Sequence, residues 1–196
     1  MKNKFYTFSV YCLVSIYLIS PPAAFATENY LSAGNKYYQS YIKSQNKQDL
    51  ENAYLNYYKA SQTNPSVSSF LGMGIVFIEK NMNAQAKAYL YKAYSIDKND
   101  AATNYYLGIL SYNNEEYVKA LDYFKISYDL GLAYNYHLNL IMATIYEKVG
   151  DFELAKEYYQ KAKTLNTENN TYLQNKLLSI DEIKANITKY FDDADE

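Results

Sequence analysis

The sequence predicts an all-α protein, built as an α-solenoid of about four helical hairpins followed by a capping helix. Pairs of small residues, seven positions apart, recur along the chain, and the first members of successive pairs lie 33, 34 and 35 residues apart. These pairs are Ala53 and Ala60, Ala86 and Ala93, Ala120 and Ser127, and Ala155 and Ala162. A period of this length is typical of stacked hairpins, each of which buries its apolar faces only against its neighbours.

The first 26 residues are predicted to be a signal peptide. Lys2 and Lys4 supply its positive end, an apolar stretch runs from residue 5 to residue 19, and small residues precede Thr27. We expect cleavage before Thr27 and export of the remaining chain to the periplasm or the exterior. The alternative is an uncleaved membrane anchor, although a span needs about 20 consecutive apolar residues and this stretch is shorter. After cleavage we expect no stable membrane span.

The composition argues against several classes of function. The net charge is −2, every one of the 19 basic residues is a lysine, and there is a single histidine and a single cysteine. This balance offers no basic footprint for nucleic acid. Cys12 lies within the predicted signal peptide, so the exported part would have no disulfide and would depend on packing for its stability.

Four copies of the repeat can be aligned, over approximately 34–66, 67–100, 101–134 and 136–169. The third copy is the most regular and contains Leu107, Gly108, Ala120, Phe124 and Ser127. In the first copy Ser40-Tyr41 replaces the usual large-then-small pair, so its leading helix is the least regular. The chain resembles the tetratricopeptide-repeat family over roughly residues 34 to 169. That resemblance implies a right-handed α-solenoid within the repeat region, 27–169.

Small residues and turn residues define each hairpin. We expect Gly74, Gly108 and Ala143 to face the alanines of their partner helices, because two helices approach closely only where a side chain is small. Residues that tolerate a left-handed backbone should form the turns between the helices. The predicted turns are Asn81 to Asn83, Asn113-Asn114 and Gly150-Asp151.

Residues 170–191 are predicted to form the capping helix, followed by an acidic tail at 192–196. Apolar residues recur there at helical spacing, namely Leu173, Leu177, Ile180, Ile183, Ile187 and Phe191. Such a helix would cover the last face of the array. A partner-binding or membrane-surface helix is the alternative, but its polar face is not rich in lysine.

The resemblance also implies where a partner would bind. In this family the first helix of each pair lines the concave side, and the corresponding positions here are apolar or aromatic. They are Tyr38, Ile42, Leu71, Ile75, Ile78, Tyr105, Ile109, Tyr112 and Leu140. The family variant that grips a terminal carboxylate uses lysine, asparagine and arginine, and this chain has no arginine. We therefore expect a protein or peptide partner held by apolar contacts; coverage of the same residues by the capping helix or by a second copy, as a homodimer, is the alternative.

The sequence offers little for catalysis, and we expect no enzyme activity and no cofactor. His137 is the sole histidine, which excludes metal sites built on several histidines or cysteines in 27–196. Glu115-Glu116 lies beside a predicted turn and is better explained as helix-start charge. The predicted function is a scaffold or adaptor of the bacterial envelope or exterior. The alternatives are a self-associating structural module and a secreted factor acting on host or cell-wall material.

Overall fold

The computed structural model describes residues 23–166 and 171–192. Its long helices are α1 (Ala23–Ser44), α2 (Lys47–Thr63), α3 (Val67–Glu79), α4 (Asn83–Ile96), α5 (Ala101–Asn113), α6 (Tyr117–Asp129), α7 (Tyr136–Val149), α8 (Phe152–Leu165) and α9 (Thr171–Asp192). A short 3-10 turn, Leu132–Tyr134, joins α6 to α7. The predicted signal peptide up to residue 22 and the acidic tail from residue 193 lie outside the described residues.

Successive helices pair into four helical hairpins, α1 with α2, α3 with α4, α5 with α6 and α7 with α8. Each hairpin packs against the next, and α9 packs against α8 at the end of the row. In addition α1 contacts α3, and α3 contacts α5, so the first helices of these hairpins lie side by side. The predicted all-α solenoid with a helix at its C-terminal end is confirmed.

The small residues of the repeat are buried, as the packing argument requires, but the contact they make differs from the expected one. Ala86 and Ala120 are fully buried. A Cβ atom added to Gly74 would lie 2.7 Å from Cδ2 of Leu90, and one added to Gly108 would lie 2.5 Å from Cε1 of Phe124. The expectation that these glycines face the alanines is therefore corrected: each makes room for the large residue one helical turn after the alanine.

The first hairpin solves the same packing problem in another way. Tyr41 is buried at the place where the other copies have a small residue. The ring of Tyr57 lies between two other glycines: added Cβ atoms would stand 2.7 Å from it at Gly34 and 2.6 Å from it at Gly72. The Tyr57 hydroxyl donates a hydrogen bond of 2.8 Å to Oδ1 of Asn35. The irregularity noted at Ser40-Tyr41 thus has a structural counterpart.

Helix α1 is longer than the first copy of the repeat. It begins at Ala23, ahead of residue 34, and Thr27 is buried within it. The predicted cleavage point therefore falls close to the start of α1. Cleavage there would leave the part of the helix that carries Gly34 and Tyr38.

Each hairpin turn contains one residue with a left-handed backbone. The prediction is confirmed for Asn81 (φ 57°) and for Gly150 (φ 84°), which ends α7. In the third hairpin the prediction was wrong by one or two residues, because Asn113 and Asn114 end α5 and the left-handed residue is Glu115 (φ 60°). Gln45 takes the same role in the first hairpin (φ 55°).

Helix α9 covers the last hairpin with the first part of its apolar stripe. Leu173 and Ile180 are fully buried in the core of the last two hairpins, and Leu177 packs against that core. Ile183 is 37% exposed, so the burial weakens along the helix. The side chains of Ile187 and Phe191 lie outside the described residues. No helix in the described part of the chain has the length and apolar character needed to cross a bilayer.

Candidate interaction groove

The first helices of the hairpins, α1, α3, α5 and α7, carry the predicted groove residues. All nine keep part of their surface accessible: Ile42 is exposed, and the other eight are intermediate between buried and exposed. By contrast, residues on other faces of the same helices, such as Met73, Leu107 and Met142, are almost fully buried. The predicted positions therefore form a partly accessible face of each helix and not its core.

As far as the structure describes the chain, the buried core consists of three clusters of apolar residues along the array, and most of the predicted groove residues pack on one of them. Tyr38 packs on the core of the first hairpin, and Leu71 and Ile78 pack on the core shared by the second and third hairpins. Four more pack on the core of the last two hairpins, namely Tyr105, Ile109, Tyr112 and Leu140. The structure thus spreads the predicted residues along the array instead of gathering them into one pocket. A surface of this shape suits an elongated ligand.

A polar cluster that sequence reasoning missed lies where α1, α3 and α5 meet. The Tyr38 hydroxyl donates a hydrogen bond of 3.1 Å to Oε1 of Glu79, the last residue of α3. Burial raises the pKa of Tyr38 above its usual value, and the neighbouring Tyr106 and Glu79 raise it further. Burial, with Tyr105 and Glu79 contributing, raises the pKa of Tyr106 to about 12. Both phenols therefore stay protonated at neutral pH beside one carboxylate.

One signal in the sequence pointed to Glu79. It is the only acidic residue between Glu51 and Asp97, and it directly follows the predicted groove residue Ile78. Tyr106 gave no comparable signal, because it is one of 26 tyrosines. The meeting of three helices is a property of the stacked array, and the spacing within one repeat does not show it.

A second carboxylate, Glu147 on α7, is paired within the chain. Its Oε2 accepts a hydrogen bond of 2.6 Å from the Tyr159 hydroxyl, and Nζ of Lys176 on α9 lies 2.8 Å from Oε1. Burial disfavours the charged form, but the hydrogen bonds from Lys176 and Tyr159 hold the pKa of Glu147 below its usual value. Helix α9 thus neutralises the acidic group at this end of the groove.

The residues considered for catalysis or metal binding are not gathered into a site in the described part of the chain. His137 is exposed, and its ring contacts Tyr136 edge-on with the centroids 5.1 Å apart. Among the described residues, no three histidine, cysteine, aspartate or glutamate side chains come together as possible metal ligands. A cavity of about 300 Å³ lies between α1 and α2, outside the groove, and is lined by Ala33, Lys36, Tyr37, Ser40 and Asp49.

Comparison with known proteins agrees with this architecture. The sequence profile of the tetratricopeptide repeat matches residues 67–100 and 136–169, which coincide with the predicted second and fourth copies. Among curated proteins, none matches the chain.

Several solved structures are similar in fold. The crystal structure of MamA is 20% identical in sequence over 86% of this chain and 90% of its own, with a TM-score of 0.63. PilF of Pseudomonas aeruginosa is 19% identical over 87% of this chain and 75% of its own, with a TM-score of 0.68. YrrB, described as a TPR protein with an unusual peptide-binding site, is 21% identical over 78% of this chain and 75% of its own, with a TM-score of 0.57. With its repeat period, its stacked hairpins and the two matched copies, the chain contains tetratricopeptide repeats and has the all-α solenoid fold of TPR proteins.

Proposed function

We propose that this protein is a non-enzymatic scaffold that holds a segment of another polypeptide along the groove formed by α1, α3, α5 and α7. One observation carries the proposal: apolar and aromatic side chains recur along the first helices of all four hairpins, and each of them stays partly accessible. Exposed apolar rows of this kind mark interaction sites. The description of YrrB as a peptide-binding TPR protein is consistent with this use of the fold.

The chemistry of the groove favours apolar anchors over capture of a terminal carboxylate. The nine predicted groove positions contain no lysine, and the chain has no arginine. Fully burying one large apolar side chain contributes about 1.5 to 3 kcal/mol, whereas association costs an estimated ~4 to 15 kcal/mol. Three or four anchors therefore give binding at about the micromolar level at best.

Introducing positive charges into the groove tests this function. In the variant with both Ile75→Lys and Ile109→Lys, we expect the affinity for short peptides, selected on the unmodified protein from a random display library, to fall at least about tenfold. The measurement is fluorescence anisotropy of a labelled peptide, with circular dichroism of the same samples. Because both side chains are only partly buried, the helical signal should persist.

A matched control introduces the same two charges on the second helices. Leu55 on α2 is 49% exposed and Val118 on α6 is 73% exposed. The variant Leu55→Lys with Val118→Lys should bind the peptides as the unmodified protein does. Equal losses in both variants, or loss of helicity in the groove variant alone, would overturn the proposal.

Self-association through the same face is the competing use of the groove, since no partner chain is needed to explain an accessible apolar row. Light scattering distinguishes the two. A dimer that forms with rising protein concentration, and that the Ile75→Lys and Ile109→Lys changes abolish, would replace the peptide-binding proposal. A monomer at all concentrations would support it.

The location that we propose for this scaffold is the bacterial envelope or the exterior of the cell. The proposal rests on the signal-like pattern of residues 1–26. Expression of the full chain in a bacterial host, followed by fractionation and mass spectrometry of its N-terminus, tests it. We expect an exported product beginning at Thr27; a cytoplasmic product that retains Lys2 and Lys4 would contradict it.

A further inference from the structure

The carboxylate of Glu79 lies beside the groove residue Tyr38 and is not balanced by a lysine in the described part of the chain. Its oxygen accepts a hydrogen bond from Tyr38, but no lysine among the described residues forms an ion pair with it. The adjacent Lys80 pairs instead with Glu51, at 2.7 Å. The carboxylate can therefore pair with a cation that a ligand supplies.

Glu147 shows how the same protein treats a carboxylate that it balances itself. Lys176 reaches both oxygens of Glu147, at 2.8 and 3.0 Å, and Tyr159 adds a third donor. Each glutamate thus accepts a hydrogen bond from a tyrosine hydroxyl, but only Glu147 also pairs with a lysine. The Glu79 carboxylate therefore lacks, among the described residues, the cationic partner that Glu147 has.

The surroundings of Glu79 suit an organic cation. Tyr38 and Tyr106 lie beside it, and the rings of Tyr105 and Tyr106 meet edge-on with centroids 5.2 Å apart. Aromatic faces attract lysine and arginine side chains through their quadrupoles. A single carboxylate is a poor site for a metal such as Ca²⁺, which takes six to eight oxygen ligands. Ile75 and Ile78, which lie within one turn of Glu79 on α3, would contact the aliphatic part of such a side chain.

We propose that the cluster of Tyr38, Glu79 and Tyr106 receives one lysine or arginine side chain of the polypeptide segment that binds in the groove. The inference rests on the proposed function and specifies the chemistry of the partner: an apolar segment carrying a single cation. The cation pairs with the Glu79 carboxylate and lies against the tyrosine rings. The apolar residues on either side of it occupy the rest of the groove.

Parallel selections of random displayed peptides on the unmodified chain and on the Glu79→Gln variant test this inference. We expect peptides selected on the unmodified chain to contain one lysine or arginine among apolar residues. Those selected on Glu79→Gln should keep the apolar residues and lose the preference for the cation. The matched control is Asp122→Asn, an exposed acidic residue on α6, which makes the same change in charge and should leave the selection unaltered.

A double-mutant cycle then measures the contact. Replacing the cation of a selected peptide by glutamine should weaken binding to the unmodified chain by about tenfold and should have little effect on binding to Glu79→Gln. Added salt should weaken binding to the unmodified chain and much less to the variant. If Glu79→Gln alters the helical signal, Tyr106→Phe with the salt series provides the second measurement, in which the cation preference should persist.

The outcomes separate this inference from the proposed function. Selected peptides that are apolar without a cation, or a cation preference that is equal in Glu79→Gln, would overturn the inference and leave the scaffold function intact. Peptide binding that is absent, or that is unaffected by Ile75→Lys with Ile109→Lys, would overturn both.

Discussion

At the scale of single residues, Gly108 leaves less room for a side chain than any other glycine in the described part of the chain, because the ring of Phe124 packs against it. Alanine is usually better than glycine inside a helix, by about 0.5 to 1 kcal/mol. Here, however, an added Cβ would lie 2.5 Å from the ring of Phe124, which is fully buried and so has no open space to move into. Overpacking of this kind costs typically ~1 to 3 kcal/mol.

We therefore expect Gly108→Ala to lower the free energy of unfolding, against the trend for helices. Urea denaturation followed by circular dichroism measures this. In a Phe124→Leu background the loss caused by Gly108→Ala should shrink, because the ring edge is gone. A more stable Gly108→Ala protein would show that the third hairpin does not pack as described here.

At the scale of the elements, α9 is fastened to the last hairpin by both apolar and charged contacts. Its own Leu173 and Ile180 are buried in the core of the last two hairpins, and its Lys176 pairs with Glu147 on α7. Two further ion pairs join α8 to α9, Lys156 with Asp181 and Lys184 with Glu153. These two are largely exposed and contribute little, whereas the partly buried Glu147 contact carries more of the attachment.

Acid should loosen this helix first. The pKa of Glu147 is held below its usual value of 4.5 in the folded chain, so the contact stabilises the fold above about pH 4.5 and is lost as the pH falls through the folded pKa. We expect the hydrogen-exchange protection factors of α9 to drop in this range before those of α5. Glu147→Gln should show reduced protection of α9 at neutral pH and a flatter response to acid; an identical pH response in the variant would contradict the assignment.

At the scale of the whole molecule, tyrosine takes much of the space between hairpins that aliphatic residues fill in other proteins. The rings of Tyr54, Phe77 and Tyr89 form a continuous row, with centroids 5.3 and 5.4 Å apart. Burial raises the pKa of Tyr57 and that of Tyr106 to about 12, from the usual 10.0. The packing therefore depends on phenols that remain protonated.

Alkali should consequently unfold the array. Above pH 10 the unfolded chain loses its phenolic protons before the folded chain does, so stability is complete below pH 10 and declines as the pH rises toward the folded pKa values. Each such tyrosine adds about 1.4 kcal/mol per pH unit to the slope. We expect the melting temperature to be level from neutral pH to about pH 10 and to fall steeply above it. Tyr57→Phe should make the fall shallower, and a melting temperature unchanged well above pH 10 would refute the argument.

The fold could be predicted because small residues recur at the repeat period and are buried where the helices pack. Ala86, Ala120 and Ala155 recur in phase, and all three are fully buried, since helices can cross closely only there. The exact partner of Gly108 could not be predicted, because it depends on how far one helix is shifted along the other. Glu115 was missed as the left-handed turn residue, because Asn113 and Asn114 tolerate that backbone better and stand beside it.

The candidate site was predictable only in part. Position within the repeat identified the apolar groove residues such as Ile75 and Ile109, and the structure leaves these partly accessible. The cluster around Glu79 combines side chains from three successive hairpins, and its members lie far apart in the sequence. No single repeat contains that arrangement, so it emerges only when the hairpins are stacked.

The main contacts in this molecule join helices that are adjacent or next but one along the chain. Within residues 23–166 and 171–192, the main contacts do not join segments that are far apart in the sequence. Folding of this part therefore closes only short loops, and structure can spread from any hairpin in both directions. Under a pulling force applied at its ends, such a chain should yield like a zipper, releasing hairpins one after another and lengthening in steps.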